Sequence, residues 1–560
     1  MIARSRPRRV GLCAALAGVA SLAASSQAPQ SVEQVGQGTR PPAAIAAHFD
    51  GLGAGFDGPQ GSVVARNPSD NSLAVGPDYI VQIVNSRMAI FTKRGRRFDT
   101  TGRVLYGPVN TNNVFHGFGG SCEIRNNGDA VVRYDQLANR WLIVMPVFRR
   151  GPARPDQPPT WTPSEHAYLS PPGRTSQPGP PASLIVPPAT EASAGGVAPS
   201  APSAPVAVGP SHPGTFAPEA EGPYSMCYAI SVGPDPFGPY YRYEFLRPLF
   251  PDYPRPAIWA DGYYVPTSTS DDFIEKHACV VERDRMLQGQ PAREQCFVIK
   301  DVNFLNNADV DGTALPPRGA PNVMIAAGGA QLHKVFDADA VLTWRFFTDW
   351  REPAHTRLEG PVPIAVAPYH YLCDGQLSNC VPQPGTDRRL DAQGDKIMAR
   401  LVYRRIGERE SIVGVHSVRT TSGGGGVRWY EFRVGPGRTV TLHQQGTYAP
   451  DTLYRWMASP AMDRFGNLAI GYSFGGTPHF AGQRLAARLA SDPPGQLTLR
   501  EAVLAEGEAA QTTTLRWEDY TQTAIDPSDD CTIWYVGDYL KKDSTSYSTR
   551  IGAFRLPGCG

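Results

Sequence analysis

The sequence predicts an all-β fold, a β-propeller of seven blades with six as the alternative count. Composition is the first reason. Among 560 residues there are 57 glycines and 54 prolines, with aromatics at 10% and charged residues at only 19%. That balance suits short strands and tight turns better than long surface helices. The second reason is a loose repeat, an acidic or Gly-Pro turn followed by an apolar strand, visible in LAVGPDYIVQIVNSRMAIFTK, VVRYDQLANRWLIVMPVF, AIWADGYYVPTSTS, ADAVLTWRFFTDW, IMARLVYRRIGERESIVGVHSV, PAMDRFGNLAIGYSF and AIDPSDDCTIWYVGDYL. Asp with Gly or Asn between two apolar runs is hairpin chemistry, because these residues accept turn backbone angles at little cost. Hairpins recurring at several tens of residues imply repeated four-stranded sheets.

The N-terminus reads as an export signal. Arg4, Arg6, Arg8 and Arg9 precede an Ala-rich apolar run from Val10 to Ala24, too short to span a bilayer comfortably, and Ser26 and Ala28 fit a small-residue cleavage site. Residues 1–28 are therefore assigned as a signal peptide for the general secretory route, giving a secreted, extracellular or periplasmic product. No later segment is apolar enough to anchor the mature chain. Residues 29–60, rich in Gly, Ala, Pro and Gln, read as a disordered linker, and 61–560 as the propeller. Residues 149–222, rich in Pro and Ser, read as a disordered insertion within it.

Nine cysteines less Cys13 of the signal leave eight, an even number in an oxidising compartment. Cys279 and Cys296 flank a strand-turn-strand stretch, Cys373 and Cys380 bracket a short loop, and Cys531 opens a strand near the terminal Cys559. These are the expected pairs, which leaves Cys122 for Cys227. The 53 basic and 52 acidic residues give a net charge of +1, so no field of one sign attracts nucleic acid.

The turn of Asp463-x-x-Gly466-Asn467 resembles the D-x-x-G-N turn of NHL-type propeller repeats and, distantly, the Asp-box of sialidases. More broadly, NSLAVGPDYIVQIVNS, GFGGSCEIRNNGD, FPDYPRPAIWADGYYV, QQGTYAPD, YRWMASPAMD and RWEDYTQTAIDPSDDCTIWY resemble an uncharacterised family of secreted bacterial β-propeller-like proteins. The resemblance covers nearly all of the mature chain except the insertion. It implies an extracellular propeller-like fold and supplies no activity.

Three groups of residues could carry chemistry. The first is the turn carboxylates Asp70, Asp129, Asp135, Asp252, Asp261, Asp463, Asp519 and Asp526. A pair about 5 to 10 Å apart would serve glycoside hydrolysis. An Asp in a turn otherwise caps its own backbone, the reading strongest for Asp135, Asp463 and Asp526. Asp252 and Asp519 lie outside the repeat, each before a Tyr, and are the better site residues. The second group is Arg455-Trp456, Arg516-Trp517 and Arg428-Trp429-Tyr430-Glu431, whose forks and rings suit an acidic glycan. Tyr430, Glu431, Tyr520 and Asp519 supply the types that a sialidase-like site needs. The competing reading packs these Arg-Trp pairs between blades. The third is Asn307-x-Asp309-x-Asp311-Gly312, the first half of a calcium loop, although Arg318 stands where a bidentate Glu is expected. It nominates a structural calcium.

H-E-x-x-H and P-loop motifs are missing from the sequence. The reading that results is an extracellular binding module for a glycan or cell-surface protein. Its rival is a secreted glycoside hydrolase or polysaccharide lyase with Asp519, Tyr520, Glu431 and Asp252 in catalytic roles and Arg455, Trp456, Arg516, Trp517, Arg428 and Tyr430 binding substrate.

Overall fold

Asp side chains set the hairpins. In the turn after Tyr454–Met462, Asp463 Oδ1 accepts the backbone N–H groups of Phe465 and Asn467 at 2.8 and 2.9 Å, and Gly466 takes φ +84°. Asp135 caps Leu137 and Ala138 in the same way, and Asp526 caps Ser528. All three are structural, as the repeat suggests.

The computed structural model describes Met1 and Val32–Cys559, apart from 64–65, 149–174, 177–178, 184–223, 248, 269–274, 303, 333–335 and 376–378. The signal peptide and most of the predicted insertion lie outside the described residues. Within the insertion, Thr175–Ser176 and Gly179–Ser183 pair with Ala292–Lys300 and Pro239–Arg247.

The chain is all-β with consecutive strands paired antiparallel; among the described residues, dividing the nine-stranded sheet at its one parallel pairing between sequential units leaves seven larger sheets, beside two two-stranded hairpins, Asp57–Gly58 with Gly61–Ser62 and Asn379–Gln383 with Thr386–Asp391. Sheet one begins at Asn71–Val75, sheet two at Val131–Asp135 and sheet three at Ala257–Ile258. Sheets four and five begin at Asn306–Val310 and Leu401–Ile406, which also pair with each other in parallel. Sheet six begins at Tyr454–Met462 and sheet seven at Gln522–Ile525. The first strands of successive sheets lie side by side from sheet three through seven and on to one and two. Arg133 Nε donates to the Pro256 carbonyl at 3.0 Å, linking sheet two to sheet three.

Apolar clusters fill the spaces between sheets. Trp429 and Val413 of sheet five meet Trp456 and Ile470 of sheet six. Ala469 and Leu485 of sheet six meet Ile533 and Tyr535 of sheet seven, and Trp534 and Ile551 of sheet seven meet Leu73 and Phe91 of sheet one. A Cβ at Gly471 would stand 2.4 Å from the Tyr535 ring, so only glycine permits that approach. Because both faces of a sheet are covered, strands such as Tyr79–Val84 are buried throughout rather than alternately. Each fully buried Val, Leu, Ile or Phe contributes about 1.5–3 kcal/mol relative to exposure.

The predicted linker 29–60 needs correction. Ala44–Asp50 pairs antiparallel with Ser548–Arg555 and supplies the outer strand of sheet seven, while Glu33–Gln34 runs parallel to Val440–Tyr448. The Ala- and Gly-rich composition hid this strand, since a partly exposed outer strand needs little apolar signal. All four cysteine pairs form as expected: Cys122–Cys227, Cys279–Cys296, Cys373–Cys380 and Cys531–Cys559. No helix among the described residues is long and apolar enough to cross a membrane.

Two predictions follow from this packing. Deleting residues through Asp50 unpairs Ser548–Arg555 and should yield aggregated or destabilised protein by size exclusion and thermal unfolding, whereas deletion through Ser31 should not. The second concerns Asp538, 1% exposed, which accepts Asn71 Nδ2 at 2.7 Å and joins sheet seven to sheet one. Burial pushes its carboxyl up to about 7. A carboxyl raised in the folded state favours folding while protonated. Its contribution is full below about pH 4, the unfolded value, and is lost as pH rises through about 7. Melting temperature should fall across that window, and Asp538→Asn should flatten the profile; an equally steep profile in the variant would refute the assignment.

Candidate functional site

The loops entering the first strands meet at one end of the fold. Asp70 enters sheet one, Asp129 sheet two, Asp252 sheet three and Asp519 sheet seven, and all four line one cavity of about 250 Å³. Tyr253, Phe304, Gln393, Lys396, Arg516 and Tyr520 complete most of its wall. The backbone holds the loops in register. Asp70 N–H donates to the Glu518 carbonyl at 2.8 Å, Asn71 N–H to the Tyr520 carbonyl at 3.2 Å, and Asp252 exchanges two hydrogen bonds with Ser268.

Six wall residues that are not glycine adopt positive φ: Asp70 (48°), Asn85 (48°), Asp129 (53°), Tyr253 (45°), Gln393 (45°) and Asp519 (64°). Such conformations are unfavourable for residues with a Cβ, most of all an aromatic one, and they concentrate at functional sites. Here they turn the side chains toward the cavity.

The carboxyls crowd. Asp129 lies within hydrogen-bonding reach of both Asp70 and Asp252, and its Oδ2 accepts the Tyr253 N–H at 3.3 Å. Burial and the neighbouring Asp129 push Asp70 and Asp252 well above the usual carboxylate range, and burial raises Asp129 itself. Asp391 behind the wall is pushed up to about 7, chiefly by burial and then by Asp519. Arg516 ion-pairs with Asp519 and lies 3.2 Å from Asp391, while Gln393 Nε2 donates to Asp519 Oδ1 at 3.3 Å. Tyr253 and Tyr520 stack with centroids 4.4 Å apart, and Lys396 Nζ stands 3.9 Å from the Phe304 centroid.

Of the residues given catalytic or substrate-binding roles from the sequence, Asp252, Asp519, Tyr520 and Arg516 meet in this cavity and the others do not. Trp517 is buried beneath it and donates to Ser473 Oγ at 2.8 Å. Arg455 is fully enclosed, ion-paired to Asp451 at 2.8 Å and Glu501 at 2.7 Å, and Trp456 is core. Glu431 is engaged by Arg433 and by Gln444. Tyr430 bonds His416 Nε2 at 2.9 Å within sheet five. Arg428 donates to Thr447 and to the Ala367 and Pro368 carbonyls beside a separate cavity of about 600 Å³. Glu431 and Tyr430 are thus far in the fold from Asp519 and Tyr520 and do not join them in one catalytic group. The packing interpretation of Arg455-Trp456 and of Trp517 is the one observed.

The calcium-loop expectation is also corrected. Asn307, Asp309 and Asp311 span the first strand of sheet four and the residue after it, not a loop, and share one face by alternation. Asn307 Nδ2 donates to Asn322 at 2.8 Å. Arg400 donates to Asp309 at 2.7 Å and to Asp311 at 2.5 Å, so a guanidinium supplies the positive charge assigned to a metal. Arg133 adds a second cation 3.4 Å from Asp309.

Asp70 and Asp129 belong to the turn carboxylates read as backbone caps; they face the cavity instead. Asp391, Gln393, Lys396, Tyr253 and Phe304 had escaped notice. The usable signal is position: the structural Asp135, Asp463 and Asp526 follow a first strand, whereas Asp70, Asp129, Asp252 and Asp519 precede one.

No family model and no curated protein matches the chain. Among solved structures, it is similar to the WD40 domain of SCAP from fission yeast, with 7% identity over 59% of this chain and 82% of that one and a TM-score of 0.25.

Replacing Arg400 by Ala would leave Asp309 and Asp311 buried without their main partner. Denaturant unfolding should show a loss of about 3–5 kcal/mol, and a loss below about 1 kcal/mol would show that the network is not structural.

Proposed function

We propose that the protein is an exported binding module, a seven-bladed β-propeller whose mouth takes a hydroxyl-rich ligand, a glycan. The propeller reading is supported by seven antiparallel sheets with apolar packing between neighbours, and by an N-terminal strand that completes the last sheet. Export is supported by the Arg-rich start, its apolar run and four paired disulfides.

One observation carries the binding reading: Asp70, Asp129, Asp252 and Asp519, from four separate sheets, share a cavity with Arg516 and Lys396. Carboxylates accept from sugar hydroxyls, while Arg and Lys donate to hydroxyl, ring or carboxylate oxygens. The stacked Tyr253 and Tyr520 form a rigid apolar floor beneath those polar groups. A second reading, a glycoside hydrolase, is favoured by the contact of Asp129 with two other carboxyls, since such hydrolysis runs on carboxyl pairs.

A glycan array probed with purified protein tests both. Retention on a subset of glycans is expected, with Arg516→Ala and Lys396→Ala each weakening it about tenfold, a loss of about 1.4 kcal/mol. Silence across the array, or retention indifferent to both variants, defeats the binding reading. Release of reducing ends from retained glycans, abolished by Asp519→Asn, would establish the hydrolase instead.

A further inference from the structure

Two lysines, Lys93 and Lys396, are about equally buried, at 4% and 5% exposed, and the chain partners them differently. Lys93 Nζ donates to both carboxylate oxygens of Asp526 and to Ser528 Oγ, at 2.8, 2.9 and 3.0 Å. Lys396 lines the mouth cavity, and its ammonium makes no hydrogen bond and no ion pair among the described residues. The Phe304 and Tyr253 ring centroids lie 3.9 and 5.4 Å from its Nζ, an attraction that leaves its N–H donors unfilled. A buried charge without a hydrogen-bonded partner is costly, so a ligand that supplies the partner is strongly favoured there.

Tyr520 is a second unfilled donor. It is 4% exposed, lines the same cavity, stacks on Tyr253, and its hydroxyl has no hydrogen-bond partner among the described residues. The neighbouring acids do not supply the missing acceptor. Asp519 is taken by Arg516, and Asp70 and Asp252, held well above the usual carboxylate range by burial and then by Asp129, share their protons with Asp129. A protonated carboxyl is a neutral group that donates. An ammonium and a phenol that both lack acceptors, beside protonated acids, suit a ligand group with a negative charge and two oxygens, a carboxylate. At about 250 Å³ the cavity is smaller than the roughly 300–1,000 Å³ of drug-sized sites, so a single ring enters it.

We propose that the mouth selects a carboxylate-bearing sugar, a uronic or sialic acid residue at the end of a glycan, with Lys396 anchoring the carboxylate and the Tyr520 hydroxyl donating to it. The proposal rests on the glycan-binding reading and names the class of sugar. The charged and titratable groups around Lys396 come from every loop of the mouth: Asp70, Asp129, Asp252 with Tyr253, Arg516 with Asp519 and Tyr520, and Asp391 behind the wall. Asp391 is pushed up to about 7, by burial first. As pH rises through about 7 it ionises, and Asp70 and Asp252 then give up their protons. Negative charge accumulates around Lys396, and an anionic sugar is released.

The test titrates purified protein by calorimetry with oligogalacturonate, oligoalginate and sialyllactose, each against its methyl ester, and with neutral oligosaccharides and acidic peptides. At least one acid form is expected to bind about tenfold or more tightly than its ester. Lys396→Gln should abolish that preference and Lys396→Arg should keep part of it; a loss of packing alone would weaken acid and ester alike. If Lys396→Gln does not fold, the wild-type protein decides: affinity for the acid form should fall relative to the ester as pH rises from about 6 to about 9. Equal affinity for acid and ester, an acid preference kept in Lys396→Gln, or one indifferent to pH overturns the anchor. Binding of neutral sugars alone overturns the carboxylate and leaves the glycan reading standing. Binding of acidic peptides and of no sugar defeats the glycan reading, and the sugar proposed here with it.

Discussion

Every sheet depends on a neighbour to cover each of its faces. Strands such as Tyr79–Val84 and Leu468–Gly476 are buried at every position, which a lone two-layer sandwich with one wet face per sheet does not produce. Sheets one and seven, built from opposite ends of the chain, must therefore meet. They share an apolar cluster, the Asn71–Asp538 hydrogen bond and the ion pair of Lys93 with Asp526 at 2.8 Å. The outer strand Ala44–Asp50 belongs to the same requirement, since it covers the edge of Ser548–Arg555 that would otherwise offer open backbone groups.

That constraint also creates the cavity. Packing the first strands side by side brings their entry loops together, and four of these loops contribute Asp70, Asp129, Asp252 and Asp519, each shortly before its strand. The positive φ values of Asp70, Asp129, Tyr253 and Asp519 mark where the loops turn inward. Conformations unfavourable in isolation persist because the surrounding sheets over-determine them, and the crowding of carboxyls is tolerated on the same ground.

Much of this architecture is legible in the sequence. Hairpin turns such as Asp463-x-x-Gly466-Asn467 are local, so a few residues specify them and the structure repeats them. The disulfides are legible because spacing and an even count leave few sensible pairs. Ala44–Asp50 was not legible: its strand state comes from a partner about 500 residues away, and long-range pairing leaves a weak local trace. The site was half legible. Asp252 and Asp519 stand out beside their tyrosines, but Asp129 looks like any turn aspartate until the sheet arrangement shows which end of a strand it occupies.

The same reasoning explains why the Arg-aromatic pairs misled. Arg455-Trp456 and Arg516-Trp517 are identical dipeptides, yet one arginine is enclosed and the other reaches the cavity wall. The difference lies in where each pair sits. Arg455 is inside a strand, where Glu501 of the neighbouring segment and Asp451 capture it on both sides. Arg516 precedes a strand by several residues, in the loop where Asp519 turns at positive φ, so its guanidinium pairs with Asp519 of the cavity wall and Asp391 behind it. For this chain, then, residue type selects what a side chain can do, and distance from the start of a first strand decides whether it does it in the core or at the mouth.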